Sequence, residues 1–179
     1  SFDDAMLKKL GRVHDGAQAR AALTEAAATF DTFNLDLMYA LPGQSLAMLQ
    51  ADLDAALSFQ PPHLSIYHLT VEPNTVFARK PPPLPDHDLA ADMQLRVEAL
   101  LTEAGYEHYE TSAYARPGRR CQHNLNYWGF GDYVAIGAGA HGKLTMPGGP
   151  PGAGQPAKIV RSERVKQPRD YMRKALSAD

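Results

Sequence analysis

The sequence predicts an α/β fold in which helices connect parallel strands. Apolar runs alternate with segments of helical periodicity, in the order strand, helix, strand, helix, strand. That order is typical of a parallel sheet built from right-handed crossovers. A length of 179 residues suits one domain, and 44% hydrophobic with 21% charged residues is an ordinary globular composition.

Two helices and one strand are predicted in the first part of the chain. Asp3 and Asp4 stand at the start of a short helix that runs to Leu10, where carboxylates favour the helix dipole. Asp15 is suited to cap a second, alanine-rich helix. The apolar segment 33–41 (FNLDLMYAL) is then a buried strand, which the Pro-Gly turn after it closes.

The next elements repeat the helix–strand alternation. Ser45 is expected to cap a helix that extends through Leu57 and ends before two prolines. A second strand is predicted over residues 64–71, and the proline-rich segment 80–85 (KPPPLP) is a stiff loop.

A long helix and two further strands complete the predicted fold. The helix starts at Asp86 or Asp88 and ends at Gly105, a natural residue to follow a helix. Strands are expected over 106–115 and 133–136. Ligand sites in α/β sheets lie at the carboxyl ends of strands, which here carry residues 39–44, 68–72 and 111–116.

The composition excludes several classes of function. A net charge of −2 argues against nucleic-acid binding, and no apolar run approaches the roughly 18 residues of a membrane span. No signal peptide opens the chain. The single cysteine, Cys121, rules out an internal disulfide and any zinc or iron–sulfur site with several thiolates from this chain. These features together predict a cytoplasmic protein.

Asp36 is the first candidate functional residue because it interrupts an apolar strand. Burying a carboxylate is costly unless it is paired or binds something. Backbone amides or an arginine would satisfy it as well as a ligand would. Glu72 and Glu110, in or after later strands, raise the same question.

The segment 121–128 (CQHNLNYW) combines the only Cys and the only Trp with His123 and a Tyr. Aromatic rings beside an imidazole suit a flat apolar ligand such as a porphyrin, with the histidine as an axial ligand. The alternative is a packed hydrophobic turn in which His123 and Asn124 bond only to backbone. Arg119 and Arg120 precede Cys121, but nothing else near it indicates an activated thiolate.

The stretch 137–142 (GAGAHG) matches the pattern GxGxxG of dinucleotide-binding proteins. Such a site needs a helix directly after the glycines, and the following KLTMPGGPPG cannot form one. We therefore interpret these glycines as permitting a close backbone approach.

Five ordered blocks, taken together, are similar to a known family. They are SFDD with LGRVHD, FNLDLMYALPGQ, PPHLSIYHLTVEPNTVF, GYEHYETSAYARPG, and CQHNLNYWGFGDYVAIGAGAHG. The chain resembles HemW-type radical S-adenosylmethionine (SAM) proteins, which are related to oxygen-independent coproporphyrinogen III oxidase (HemN).

The resemblance implies a partial (β/α)6 radical SAM barrel with parallel strands and a short appended β region. This chain would be the C-terminal half of that barrel, over residues 1–145. A mobile Gly/Pro-rich loop (146–157) and the start of a link to a further domain (158–179) would follow. Ser1 in place of Met also indicates a piece of a longer protein.

The cofactors that the resemblance implies are SAM, a [4Fe–4S] cluster and haem. The family's CxxxCxxC loop is absent here, so the cluster ligands would lie outside this chain and the chain alone should be inactive. In relatives, the residues that match Arg12 and Asp36 contact SAM. The residue that matches Asp36 holds the ribose hydroxyls of SAM. Thr70 and His141 match positions that line the adenosyl pocket, over which the GAGAHG run would close.

His123, Asn124, Tyr127 and Trp128 form the HNxxYW pattern, which the resemblance links to haem binding. The function implied first is a haem chaperone that passes haem to proteins such as respiratory enzymes. The alternatives are an oxidoreductase of porphyrin biosynthesis that decarboxylates coproporphyrinogen III, and a non-catalytic binding fragment.

Overall fold

The computed structural model describes residues 1–148 and 156–175, and the chain divides into two compact units, Ser1–Cys121 and Gln122–Asp179. Within the described residues the helices are α1 (Asp4–Lys9), α2 (Gly16–Thr29), α3 (Leu46–Ser58), α4 (Val76–Arg79), α5 (His87–Glu103), α6 (Gln122–Trp128) and α7 (Pro168–Ala175). The strands are β1 (Asn34–Tyr39), β2 (His63–His68), β3 (Glu107–Glu110), β4 (Ala113–Ala115), β5 (His141–Met146) and β6 (Lys158–Glu163).

The first unit contains a four-stranded sheet in the order β1-β2-β4-β3. The parallel pair β1 and β2 runs in register from Asn34 opposite His63 to Tyr39 opposite His68. This confirms the predicted mixed α/β class and the strand–helix–strand crossover through α3. In the described residues, no strand pairs with the outer edge of β1.

The single strand predicted over 106–115 is wrong, because this segment is a hairpin. β4 pairs antiparallel with both β2 and β3, and the two short strands are joined at Thr111 and Ser112. A parallel partner would need a crossover of a dozen or more residues, whereas a two-residue turn permits only antiparallel pairing. The parallel part of the sheet is therefore β1 and β2.

The second unit contains the two-stranded antiparallel sheet of β5 and β6, the short appended β region that was expected. Tyr133, in the predicted strand 133–136, makes only an isolated bridge to Lys143. The predicted loop 146–157 lies mostly outside the described residues. The predicted boundaries at 145 and 157 stay predictions.

One face of the four-stranded sheet forms the main core. Helices α3 and α5 cover it with fully buried side chains, since their apolar residues recur at helical spacing. The buried residues of these helices and of β1, β2 and β4 form one cluster: Leu35, Leu37, Tyr39, Leu49, Leu53, Ala56, Leu64, Ile66, Met93, Val97, Leu101 and Tyr114.

The predicted helix starts are confirmed by the side chains that cap them. Asp3, Asp15, Ser45 and Asp86 each accept a hydrogen bond from a backbone N–H in the first turn of their helix. Asp15 also takes part in a capping box with Gln18. These caps fix where the connecting loops begin and end, including the loop that carries Arg12.

Candidate functional site

Asp36 lies on the face of β1 that is turned away from the main core. Burial alternates along this strand, with Leu35, Leu37 and Tyr39 inside and Asn34 and Asp36 exposed. The carboxylate is therefore not buried in an apolar layer, as the sequence had suggested. Its side chain is accessible to a ligand.

Arg12 is placed by the end of α1. The amide of Gly11, which adopts a positive φ of 68°, donates to the carbonyl of Lys8, and the amide of Arg12 donates to that of Leu7. This is a Schellman motif, in which glycine tolerates the left-handed conformation. One Arg12 guanidinium nitrogen lies 3.9 Å from the Met38 sulfur on β1.

Arg12 and Asp36 line one cavity of about 450 Å³. Its wall also includes His14, Asn34 and Tyr67, together with apolar side chains of α1, α2 and β1. That volume is within the range of about 300–1,000 Å³ typical of small-ligand sites. The cavity combines a cation, a carboxylate that accepts hydrogen bonds, and apolar surface, groups that can contact a ligand with both polar and apolar parts.

A chain of hydrogen bonds leads away from Asp36 across the sheet. Asn34 Nδ2 donates to Asp36 Oδ1 at 2.6 Å, and Asn34 Oδ1 lies 2.6 Å from His63 Nδ1 and 3.0 Å from Ser65 Oγ. His63 Nε2 is in turn hydrogen-bonded to the Tyr109 hydroxyl. Burial lowers the pKa of His63, and the nearby Asp36 charge partly offsets that effect.

Asn34, His63 and Ser65 were not among the predicted site residues. A signal for them exists, because Asn34 and Asp36 alternate with leucines on β1, and His63 and Ser65 alternate with Leu64 and Ile66 on β2. Alternation of this kind marks a sheet with one polar face. Which polar residues meet depends on the register of the two strands, which the sequence does not specify.

Thr70, Glu72 and Glu110 have local partners. Thr70 Oγ1 donates to Glu72 Oε1 at 3.0 Å in the exposed segment after β2, and Thr70 is not among the residues that line the Arg12–Asp36 cavity. Glu110 Oε2 accepts from the Ser112 amide at 3.2 Å. The structure thus brings Arg12 and Asp36 together but not Thr70.

The HNxxYW residues lie on α6, a seven-residue helix with no buried side chain. His123 and Tyr127 are one helical turn apart and share a face, with ring centroids 4.6 Å apart in an edge-to-face arrangement. Tyr127 also contacts Tyr133, with ring centroids 4.7 Å apart. Trp128 is 55% exposed. Asn124 is half-buried on the same helix.

The loop after α6 is fixed by Lys143, a buried lysine that the sequence analysis did not identify. Its ammonium donates to the Phe130 carbonyl and to Asp132 Oδ1, each at 2.8 Å, and to Thr145 Oγ1 at 3.2 Å. It also lies 4.1 Å from the centroid of the Phe130 ring. The bonds from Lys143 and Thr145 lower the pKa of Asp132 to about 2.

His141 begins β5 and is exposed. Its Nε2 lies 3.8 Å from Glu163 Oε1 across the β5–β6 pair. In the preceding GAGAHG run, Gly137 and Gly139 have positive φ angles of 99° and 72°. A strand rather than a helix follows these glycines, which confirms that the run is not a dinucleotide-binding turn.

The chain does not fit the ligand set of a [4Fe–4S] cluster, since it contains one cysteine. In residues 1–148 and 156–175, no three His, Cys, Asp or Glu side chains are grouped so that they could hold a metal ion. The helices in that part of the chain are all too short or too polar to cross a membrane.

Comparison with known proteins gives close relatives over nearly the whole chain. It is 51% identical over 174 residues to "Heme chaperone HemW" of Haemophilus influenzae, covering 97% of this chain and 43% of that protein. It is 40% identical to the mouse "Radical S-adenosyl methionine domain-containing protein 1, mitochondrial", covering 91% of this chain and 38% of that protein. No protein-family model matches.

A solved structure shares the fold at lower sequence identity. It is coproporphyrinogen III oxidase (HemN) from Escherichia coli, described as a radical SAM enzyme. The TM-score is 0.74 at 19% identity, over 97% of this chain and 41% of the other. The chain therefore has the HemN fold and spans less than half the length of the curated relatives that it matches.

Proposed function

The chain belongs to the HemW family, and from this premise we propose that it forms the haem-binding and nucleoside-binding part of a radical SAM haem chaperone. The relatives at 51% identity carry the chaperone name, and the match extends over 97% of this chain. The observation that carries the proposal is α6, where an imidazole and aromatic rings stand exposed on one short helix.

His123 is the proposed axial ligand of haem. Neutral imidazole is a common ligand of haem iron, and an exposed ring can reach the metal of a bound porphyrin without unfolding the helix. Tyr127 and Trp128 offer apolar ring surface to the macrocycle, and Asn124 completes the pattern. We propose further that the protein is cytoplasmic and passes this haem to haem-accepting proteins such as respiratory enzymes.

Arg12 and Asp36 are the proposed SAM contacts. A carboxylate accepts hydrogen bonds from two adjacent ribose hydroxyls, and such charge-assisted bonds are stronger than neutral ones. The Arg12 guanidinium supplies a donor for the carboxylate of the methionine moiety. Thr70 and His141 are proposed as further SAM-binding residues from the family resemblance alone.

The cluster that would bind SAM needs thiolates from outside these residues, because Cys121 is the only cysteine here. This chain therefore contributes binding groups to the radical SAM site rather than the cluster ligands. No step of a radical reaction is assigned to its residues.

Titration of the full-length protein with haem, followed by absorbance, tests the proposal. We expect stoichiometric binding in the wild type and a loss of at least about tenfold in affinity in His123→Ala, because the axial bond is removed. His87→Ala, at an exposed helix start far along the sequence, is the matched control and should bind like the wild type.

Binding that does not depend on His123 would refute this ligand assignment. Absence of haem binding would favour the alternative that the HemN fold supports, a coproporphyrinogen III oxidase. The full-length protein with its cluster reconstituted would then be assayed for decarboxylation of coproporphyrinogen III.

A further inference from the structure

The hydrogen-bond chain that ends at Asp36 has a single consistent direction. The carboxylate of Asp36 only accepts, so the Asn34 NH2 group must face it, at 2.6 Å. The Asn34 carbonyl oxygen then faces His63 and Ser65 and accepts from both. The donor and the acceptor of each hydrogen bond from Asp36 to His63 and Ser65 are therefore fixed.

The contacts at the other end are compatible with the same direction. The amide N–H of Cys121 can only donate, and it donates to the Tyr109 hydroxyl oxygen at 3.1 Å. The Tyr109 hydroxyl is also hydrogen-bonded to His63 Nε2, to which it can donate its proton. The Asn34 oxygen only accepts, so His63 Nδ1 carries a proton and donates to it. With Nε2 accepting from Tyr109, the ring is the neutral tautomer protonated on Nδ1.

Burial agrees with this protonation state. His63 is 6% exposed and Ser65 is 7% exposed, so both are largely removed from water. Desolvation lowers the pKa of His63, which keeps the ring neutral near pH 7. Within this part-buried network, the hydrogen bonds to Asn34 and Tyr109 hold His63 in one geometry.

We propose that Asn34, His63 and Tyr109 are positioning residues that orient the Asp36 carboxylate toward the ribose hydroxyls of the bound nucleoside. The inference rests on the proposed role of Asp36. Asn34 occupies one lone pair of Oδ1, which leaves Oδ2 and the second lone pair of Oδ1 for two hydroxyl donors. Without Asn34, the exposed carboxylate would rotate freely about its χ angles. Ligand binding would then have to restrict that rotation, at a cost in conformational entropy.

The test compares two probes in the full-length protein, S-adenosylhomocysteine and its 2′,3′-dideoxy analogue. The wild type should bind the hydroxylated probe more tightly, and Asp36→Asn should abolish that preference. His63→Leu and Asn34→Ala should reduce the preference by about tenfold, the effect of one charge-assisted hydrogen bond, with the affinity for the dideoxy probe unchanged. Tyr109→Phe, which keeps the ring, should reduce it by a smaller factor.

Two controls separate orientation from general damage to the fold. His63→Asn places an amide donor near the position of Nδ1–H and should restore most of the preference that His63→Leu loses. His87→Leu, on an exposed helix start, should change neither affinity. Nitrogen NMR of labelled histidine should show His63 protonated at Nδ1 in the wild type.

The outcomes distinguish the nucleoside role of Asp36 from the positioning role of Asn34, His63 and Tyr109. If the wild type has no preference that depends on Asp36, the nucleoside role of Asp36 is wrong. If Asp36→Asn abolishes the preference but His63→Leu and Asn34→Ala retain it, the positioning role is wrong. Equal weakening of both probes in the network variants would likewise overturn it, because that result indicates a structural role.

Discussion

Asp132 illustrates how a single exposed carboxylate can hold a loop in place. It accepts hydrogen bonds from the Lys143 ammonium and from the amide and hydroxyl of Thr145, each at 2.8 Å. These partners lower its pKa from the ordinary 3.8 to about 2. A depressed folded-state pKa stabilises the native state above about pH 4, and this contribution is lost as the pH falls toward 2.

We therefore predict that Asp132→Asn lowers the melting temperature at pH 7 and that its difference from the wild type disappears between pH 4 and 2. Thermal unfolding followed by circular dichroism across this range measures the effect. Lys143→Met, which removes the main donor, should show a weakened acid dependence as well. A difference between Asp132→Asn and the wild type that stays constant down to pH 2 would contradict the assignment.

The residues proposed to contact the ligand were predictable from the sequence, whereas the hydrogen bonds that hold them were not. Arg12 and Asp36 were predicted from the family resemblance, and the structure places both on one cavity. The Asn34–His63 contact was missed because its two residues are 29 positions apart and meet only through the β1–β2 register. Lys143 was missed for a related reason, since its ammonium bonds to Phe130 in the preceding loop and to Thr145, two residues further along β5.

At the scale of elements, α5 shows how helical periodicity determines which residues are buried. Met93, Val97 and Leu101 recur every four residues and are buried, whereas Leu95 on the same helix is 64% exposed. We predict that Leu101→Ala lowers the free energy of unfolding by about 2–5 kcal/mol, because it leaves a cavity between α5 and the sheet.

Leu95→Ala is the matched control and should change the free energy of unfolding by less than about 0.5 kcal/mol. Urea denaturation of both variants gives the comparison. Similar losses in the two variants would mean that α5 does not pack on the sheet through the face that carries Leu101.

Elements with strong local signals were predicted within one to three residues, and elements without them were missed. The predicted strand 33–41 corresponds to β1, and the capped helices start where their Asp or Ser residues indicated. The hairpin of β3 and β4 was taken for one strand because Thr111 and Ser112 form its turn without Gly, Pro or Asn. Helix α6 was not predicted because no apolar stripe marks it.

At the scale of the whole molecule, the two units differ in how much apolar surface they bury. The first unit contains the large cluster beneath α3 and α5. Among the described residues of the second unit, Ala135 is the one buried hydrophobic side chain, and Lys143 is buried through polar contacts. Few buried apolar contacts correspond to a low free energy of local opening.

This difference predicts the pattern of amide hydrogen exchange. Amides of β1 and β2 should exchange slowly, at rates set by global unfolding, whereas those of β5 and β6 should exchange at least about a hundredfold faster. Leu101→Ala serves as the internal control, since it should accelerate exchange in β1 and β2 and leave β5 and β6 unchanged. Haem binding at His123 should slow exchange in α6, because a bound ligand stabilises the closed state by mass action. Exchange in β5 and β6 as slow as in β1 would show that polar contacts such as those of Lys143 stabilise the second unit as strongly as an apolar core.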